Sequence, residues 1–179
     1  MSRKSIFIPA SIAMFVLCSA PAYASDGTIT FTGSLTATTC TVALNNGTAS
    51  GTVVLPNVST SVLKVSGDVA GATNFQLDLS NCTVSSTVKA YFEAGPTVNT
   101  VTGALINAGT ASNVEVQLVT DGGTPIAIGN SGQATSTGVT ITVPGTTSGA
   151  LNYVARYRAK GVTTAGTVTS SVTYSLTYS

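Results

Sequence analysis

Two stretches near the ends of the chain alternate apolar and polar residues with a period of two. In the first, Ser and Thr separate an apolar row at odd positions: Ile29, Phe31, Gly33 and Leu35. In the second, Thr and Ser separate an apolar row at even positions: Val168, Val172, Tyr174, Leu176 and Tyr178. Sustained alternation of this kind is typical of a β-strand with one buried face. Each end of the chain is therefore predicted to be a strand that needs a neighbour.

Further short apolar or alternating runs lie between these two ends, and each is predicted to be a strand. They cover residues 40–44, 51–58, 74–82, 84–93, 113–119, 124–128, 139–143 and 152–160. Turn signals such as Asn45-Asn46-Gly47 and Asp121-Gly122-Gly123 separate them. No segment keeps a helical apolar period for more than a turn or two. The pattern predicts one all-β domain, built as an antiparallel sandwich.

The first 24 residues have a different character. Arg3 and Lys4 precede an apolar run over residues 6–17, and Ala22-Tyr23-Ala24 follows as an A-x-A cleavage site. The apolar run is shorter than the roughly 20 residues that a membrane-spanning helix needs. We interpret residues 1–24 as a secretory signal peptide rather than as an anchor. Its removal from the 179-residue chain would leave 155 residues, which is enough for one domain with a core.

The remaining cysteines predict a covalent cross-link. Cys18 lies within the predicted signal peptide, so the mature chain keeps Cys40 and Cys82. An even number of cysteines in an exported chain favours a disulfide. This bond would close a loop of about 42 residues and contribute roughly 4 kcal/mol through loop-closure entropy. Two cysteines without any histidine are too few ligands for a metal site.

Composition excludes several classes of function. Charged residues make up only 7% of the chain and histidine is absent, so there is no basic surface for a nucleic acid and no Ser-His or Cys-His nucleophile. The S-x-x-K tetrapeptide at residues 61–64 lacks its companion motifs. We therefore expect a protein that is not an enzyme and has no cofactor, metal or small-molecule substrate.

The charged residues on the predicted strands are expected to face solvent. Asp78 and Glu115 lie opposite the apolar rows of their strands. Arg156, Arg158 and Lys160 share one strand face, because side chains alternate between the faces. Those three cations could meet an anion or an acidic partner, although an ordinary polar sheet face is the simpler interpretation.

Several motifs resemble, in their order and spacing, the major subunits of chaperone–usher pili, the type 1 fimbrial pilin family. They are GTITFTG at residues 27–33, F-x-L-x-L-x-x-C at 75–82, the predicted hairpin at 113–126, and Ala155-Arg156-Tyr157 followed by the final strand. The resemblance covers essentially all of the predicted mature chain.

The resemblance implies a fold and a mechanism. The fold is an incomplete immunoglobulin-like antiparallel sandwich that lacks its last strand and is completed by a donor strand. Residues 25–38 would form the N-terminal donor-strand extension, and residues 39–179 the pilin domain. A periplasmic chaperone would fill the open groove first. At the outer-membrane usher, the extension of another copy or of a related pilin would replace it, which builds a surface fimbria that supports adhesion.

The resemblance also implies roles for individual residues. The donor row would be Ile29, Phe31 and Leu35, with Gly33 as the residue at which a side chain would not fit the groove. The acceptor and chaperone-recognition strand would comprise Gly166, Val168, Val172, Tyr174, Leu176 and Tyr178. Within it, Gly166 and Tyr178 match the family's chaperone-recognition motif, and Cys40 and Cys82 match the family disulfide.

Three alternatives remain open at this point. A minor adaptor or tip pilin would share the same domain. A secreted binding module with an immunoglobulin-like sandwich would share the strand pattern. The N-terminal strand could also fold back into the groove of its own subunit, although residues 25–39 have little slack before Cys40.

Overall fold

The structure is a computed structural model that describes residues 40–136 and 138–179, together with Thr30 and Thr32. The predicted signal peptide lies outside the described residues. So do the four predicted donor residues, Ile29, Phe31, Gly33 and Leu35.

Eight strands and one short 3-10 helix form within the described residues. The strands are β1 (Thr41–Leu44), β2 (Val69–Ser80), β3 (Ser86–Phe92), β4 (Leu105–Ile106), β5 (Val114–Thr120), β6 (Val139–Ile141), β7 (Gly149–Ala159) and β8 (Tyr174–Tyr178). The 3-10 helix is Thr60–Val62. This composition confirms the predicted all-β fold. None of the described residues belongs to a helix that is long and apolar enough to cross a membrane.

The strands form two antiparallel sheets. One has five strands in the order β1-β2-β7-β5-β4, and the other has three in the order β6-β3-β8. In this arrangement β1 and β8 are each the last strand at one side of their sheet. Their outer edges have no partner strand among the described residues.

The core fills the space between the sheets. Its centre is the fully buried Tyr153 of β7, whose ring stacks on Phe75 of β2 at 5.6 Å and meets Phe92 of β3 edge-on at 5.1 Å. The ring thus connects both sheets. Its hydroxyl is bonded to Ser136 Oγ at 3.1 Å. Burial raises the pKa of Tyr153, so this phenol stays protonated inside the core.

Cys40 and Cys82 are joined by a disulfide, which confirms the predicted bond. Cys40 directly precedes β1, and Cys82 lies two residues after the end of β2. Because β1 and β2 pair along residues 41–44 and 77–80, the bond extends an existing hydrogen-bonded ladder by a covalent link. It fixes the start of the edge strand β1.

Two predicted strands differ from the structure. Residues 51–58 carry no strand assignment, because no described residue pairs with them. Residues 124–128 also carry no strand assignment, and their one isolated bridge among the described residues joins Val119 and Pro125. Their backbone bonds are irregular: Thr120 N donates to Thr124 O and Ile126 N to Leu118 O, both at 2.9 Å, but Ile128 N donates to Gly103 O at 3.1 Å. Pro125 has no N–H with which to continue a ladder.

The prediction that Glu115 faces solvent is wrong. Its exposed fraction is 0%, because the segment before β4 folds over this face of β5. Glu115 Oε1 accepts a bond from Asn99 Nδ2 at 2.5 Å, and Oε2 accepts from Thr102 Oγ1 at 3.0 Å and Arg158 Nη1 at 3.2 Å. The ion pair with Arg158 of β7 ties the two strands together across the sheet.

Two of the three cations in the predicted row, Arg156 and Arg158, bind partners within the sheet. Arg158 pairs with Glu115, and Arg156 Nε donates to Gln117 Oε1 at 2.9 Å. Asp78, which was also predicted to face solvent, is half-buried and accepts bonds from Gln76 Nε2 at 2.5 Å and Asn46 N at 2.6 Å. These contacts favour a structural role for the charged groups over recognition of an anion.

Replacement of Glu115 tests its role in stability. Glu115→Ala leaves three buried or half-buried donors without their acceptor, so we expect the free energy of unfolding to fall by about 1–3 kcal/mol. Glu93→Ala, at an acid that contacts only Ser175 Oγ near the surface, should change it by less than about 1 kcal/mol. Denaturant unfolding of both variants measures the difference. Equal stabilities would contradict the assignment.

Candidate functional site

An open groove runs between the unpaired edges of the two sheets. Its volume is about 810 Å³. One wall is lined by residues 168–174 and Leu176, and we call the whole segment 168–178, which leads into and includes β8, the β8 wall. The other wall consists of residues 49–55, which follow β1, and we call it the β1-side wall. The floor is built from apolar core residues of both sheets: Phe75, Leu77, Phe92, Leu105, Val116, Leu118 and Ala155.

The β8 wall repeats the sequence alternation residue by residue. Every even position from 168 to 178 is half-buried, whereas every odd position between them is exposed. The predicted row Val168, Val172, Tyr174, Leu176 and Tyr178 therefore packs against the core, and all of these residues except Tyr178 also line the groove. Only Tyr174–Tyr178 has the regular pairing of a strand, since residues 168–173 bond to a loop instead.

Within the described part of the chain, the backbone of the β8 wall has hydrogen-bond partners on one side only. Ser179 and Thr87 exchange two hydrogen bonds at 2.7 and 3.0 Å, and Glu93 N donates to Thr173 O at 2.9 Å. Since bonded pairs recur every second residue in an antiparallel ladder, odd residues of β8 point their backbone groups at β3. The even residues Tyr174, Leu176 and Tyr178 point theirs across the groove, where no described strand accepts them.

The same asymmetry continues upstream of β8. Ala111 N donates to Thr167 O at 3.0 Å, and Ala108 N donates to Thr169 O at 2.8 Å. The even residues Ser170 and Val172 form no backbone bond of this kind with described residues. Along the even positions from 168 to 178, the wall therefore presents a row of N–H and C=O groups that have no partner among the described residues.

The β1-side wall is also extended and unpaired. Val53 and Leu55 are half-buried against the core, whereas Val54 between them is 79% exposed. Residues 51–55 take part in no backbone hydrogen bond with the rest of the described chain. A strand laid in the groove would find hydrogen-bonding groups on both walls and apolar side chains below it.

Two tyrosines of the β8 wall bond to the residues that flank β1. Tyr174 Oη donates to Ala49 O of the β1-side wall at 2.7 Å, and Tyr178 Oη accepts from Cys40 N at 3.1 Å. Burial raises the pKa of Tyr174, which keeps its phenol protonated and able to donate. The contact of Tyr178 with Cys40 holds the C-terminal end of β8 beside the start of β1.

Gly166, the other predicted recognition residue, lies upstream of the groove in an exposed turn. A Cβ atom at this position would come within 2.5 Å of Ala111 N and 2.7 Å of Thr110 C. Only glycine allows the backbone of residue 166 to approach residues 110–111 so closely. Its place in the structure is therefore explained by packing at the start of the β8 wall.

Sequence reasoning missed two features of the groove. The β1-side wall was predicted to be an ordinary strand, without any indication that it borders a site. Ser170 was not singled out, yet its Oγ is buried and has no hydrogen-bond partner in the described part of the chain. A signal was present, because Ser170 is the one polar residue in the even row of residues 168–178.

The side chains that line the groove are apolar or uncharged. Among the described residues, the lining includes no carboxylate, cysteine or basic side chain. Over the described residues, no three His, Cys, Asp or Glu side chains come together to hold a metal ion. Hydrogen-bonding edges and an apolar floor suit the binding of an extended peptide.

Comparison with known proteins identifies the family. Residues 55–179 match the family described as "FimA: Type-1 fimbrial protein, A". The chain belongs to the type-1 fimbrial protein family. It is similar to the major fimbrial subunit SMF-1 of Stenotrophomonas maltophilia, with 41% identity over 91% of this chain and 99% of the relative. It is also similar to the F17 fimbrial protein of Escherichia coli, with 39% identity over 87% of this chain and 88% of the relative.

A solved structure agrees with the fold of this fimbrial protein. A subunit of a chaperone–usher pilus superimposes with a TM-score of 0.61 over 89% of this chain and all of that subunit, at 22% identity. The protein is thus a fimbrial subunit with the predicted immunoglobulin-like pilin fold. It is a structural protein rather than an enzyme, and its place is the surface fimbria.

Amide hydrogen exchange tests the one-sided pairing of this fimbrial subunit. In the monomeric chain, we expect the amide protons of Tyr174 and Leu176 to exchange markedly faster than those of Ser175 and Thr177. The reason is that only the odd residues bond to β3. NMR-detected exchange resolves the four amides individually. Equal protection of even and odd residues would show that the edge is already paired in the monomer.

Proposed function

We propose that this fimbrial subunit polymerises by donor-strand exchange. A periplasmic chaperone first occupies the open groove of one copy. At the outer-membrane usher, residues 25–38 of another copy or of a related pilin then replace the chaperone in that groove. The observation that carries the proposal is the β8 wall, whose apolar row and free backbone groups both face the groove. Addition of a strand satisfies both at once.

The donor row has the chemistry that the groove requires. Ile29, Phe31 and Leu35 fall on one face of an extended chain, and the floor of the groove is apolar. Burial of these three side chains stabilises a junction by about 5–9 kcal/mol. Each ladder hydrogen bond contributes about 0.5–1.5 kcal/mol more. A strand with the polar face of Thr and Ser outward would leave the completed sheet soluble.

The position of Cys40 favours donation to another copy. Cys40 N lies 3.1 Å from Tyr178 Oη, at the C-terminal end of β8. A strand that lies along the whole wall antiparallel to β8 must end near Val168. That point is about 33 Å from Tyr178, at about 3.3 Å for each of the ten residues between them. The two peptide steps from residue 38 to Cys40, about 3.8 Å each, cannot connect these points. The chain's own extension could therefore enter its groove only parallel to β8, which is the slightly less stable pairing.

We further propose that this subunit forms the fimbrial rod and supports adhesion as part of the fibre. The support for a rod role is that the relative from S. maltophilia, matched over nearly its full length, is named a major fimbrial subunit. A minor adaptor pilin would share the groove and the extension. Electron microscopy of cells that express only this subunit tests the difference, since a rod subunit gives long fibres and an adaptor gives none.

A charge on the donor row tests strand donation. Phe31→Asp places a carboxylate where the groove is apolar, so we expect the ladder of SDS-resistant polymers to be lost. The matched control is Thr32→Asp, which adds the same charge to the opposite face of the predicted strand and should polymerise normally. Gel electrophoresis of unboiled fimbrial preparations measures both. Equal ladders from the two variants would overturn the proposed donor row.

Substitution of Tyr178, the last inward residue of the β8 wall, tests whether the chaperone binds this wall. Tyr178→Ala removes a ring of the groove row, so we expect less subunit to co-purify with the periplasmic chaperone and less to accumulate in the periplasm. Thr177→Ala, at the exposed neighbouring position, should have no effect, and Tyr178→Phe should retain most capture. Full capture of Tyr178→Ala would show that the chaperone does not bind this row.

A further inference from the structure

A second concave site lies on the outer face of the larger sheet. Its volume is about 340 Å³, near the lower end of the range of about 300–1,000 Å³ that small-ligand sites occupy. Its strand residues alternate with residues of the core, so it lies on the opposite face of this sheet from the floor of the groove. Besides two residues of the core, it is lined by Asn45, Asn74, Gln76, Asp121, Asn152 and Val154. We call it the amide site, since four of these six residues carry a side-chain amide.

The end of β1 opens the amide site at one side. Asn45 N donates to Gln76 O at 3.0 Å, and Gln76 N donates to Asn45 Oδ1 at 2.9 Å. Asn45 then turns the chain away with a φ of 48°, so β1 does not pair with β2 beyond this point. Because bonded positions recur at every second residue, the N–H and C=O of Asn74 point to the same side of β2. No described residue bonds to them there.

Most polar side-chain groups of the amide site are available to a ligand. Asn74 and Asn152 are exposed, and their amides have no hydrogen-bond partner among the described residues. Asn45 and Gln76 each use one side-chain atom within the protein, Oδ1 and Nε2, which leaves Asn45 Nδ2 and Gln76 Oε1. Asp121 uses only Oδ1, in its own turn. The site thus offers both donors and acceptors at short spacing.

An apolar side chain lies among these amides. Val154 is half-buried and stands directly opposite Asn74, while Asn152 stands opposite Gln76. Asn74 and Asn152 are therefore diagonal neighbours on one face, about 7–8 Å apart, and Val154 adjoins both. A sugar ring has C–H groups on its faces and hydroxyls around its rim. An apolar contact bordered by amides matches that distribution.

The charge of the amide site disfavours an ionic ligand. Asp121 is the one charged residue of the described lining, which contains no basic side chain. Arg156, the next outward residue of β7 after Val154, donates to Gln117 Oε1 instead. An anionic ligand would meet the carboxylate of Asp121 without a compensating cation, which is unfavourable. The lining therefore selects for a neutral ligand with many hydroxyls.

We propose that the amide site binds one neutral hexose unit of a saccharide. The amides of Asn74 and Asn152 bind its hydroxyls, Val154 packs against its C–H face, and Asp121 accepts a further hydroxyl. So shallow a site binds a single sugar weakly, with a roughly millimolar dissociation constant. Repetition along a fibre raises the apparent affinity by about 10²- to 10⁴-fold. That last step rests on the proposed polymerisation, whereas the site itself does not.

NMR titration of the monomer tests the site without a fibre. The protein is the full mature chain with Phe31→Asp, and the probes are the methyl glycosides of mannose, galactose and glucose, with glucuronic acid as the anionic counterpart. We expect a neutral glycoside to shift the backbone amide signals of Asn74, Asn152 and Val154 saturably, and to leave those of the β8 wall unchanged. Absence of these shifts with all three neutral glycosides, or their restriction to glucuronic acid, would overturn the proposal.

Substitution of the outward amides tests which groups bind the sugar. Asn74→Ala and Asn152→Ala each remove hydrogen bonds without touching the core, so we expect each to weaken binding of the best glycoside about 2- to 10-fold. The matched control is Asn57→Ala, at an exposed amide outside the site, and it should leave the affinity unchanged. Equal affinities of the three variants would refute the assigned contacts.

Retention of fibres on sugar-coated beads measures the gain from repetition. We expect wild-type fimbriae to bind beads that carry the best-bound sugar and to be released by its free methyl glycoside. Fimbriae with both Asn74→Ala and Asn152→Ala should pass through, and equal retention would contradict the proposal. If the monomer binds the glycoside but no fibres form, polymerisation fails and the amide site stands. If fibres form but the monomer binds no neutral glycoside, the reverse holds.

Discussion

The structure depends on one unsatisfied requirement, which is that the backbone groups of a strand buried against a core need partners. Along the β8 wall, the inward side chains are already half-buried while the backbone groups of Tyr174, Leu176 and Tyr178 point into an open groove. A loop in place of this edge strand would not present such a row of backbone groups that need partners. The described chain thus leaves a long edge without a partner beside an apolar floor, and this is the feature on which the proposed strand exchange rests.

The rest of the domain keeps the groove open. The two sheets are held together on the side of Tyr153, whose ring contacts Phe75 and Phe92. The disulfide fixes the start of β1, and the bond between Tyr178 and Cys40 fixes the end of β8 against it. With its two edges anchored in this way, the groove resists collapse into a closed two-layer core. Rigid walls lower the ordering cost of strand binding.

Sequence patterns predicted the parts of the fold that local periodicity determines. The alternation of residues 168–178 matches the exposure of each residue, and the disulfide and the turn at residues 121–123 are present. Patterns failed where a distant segment decides the environment. Glu115 alternates like an exposed residue but is covered by Asn99 and Thr102. The alternation of residues 51–58 predicts a strand, yet no other described residue pairs with them.

The other sheet edges explain why assembly can be directional. Among the described strands, the outer edges at β4 and β6 are only two and three residues long, which offers little template for pairing with another chain. The long edge among the described strands is the β8 wall, so the proposed strand addition would be confined to one site per subunit. Because the proposed donor precedes Cys40 in the chain and the proposed acceptor site is the groove, each contact would join unlike surfaces of two copies. Such contacts do not close on themselves when successive copies are related by a screw displacement, and a chain of subunits grows into a filament.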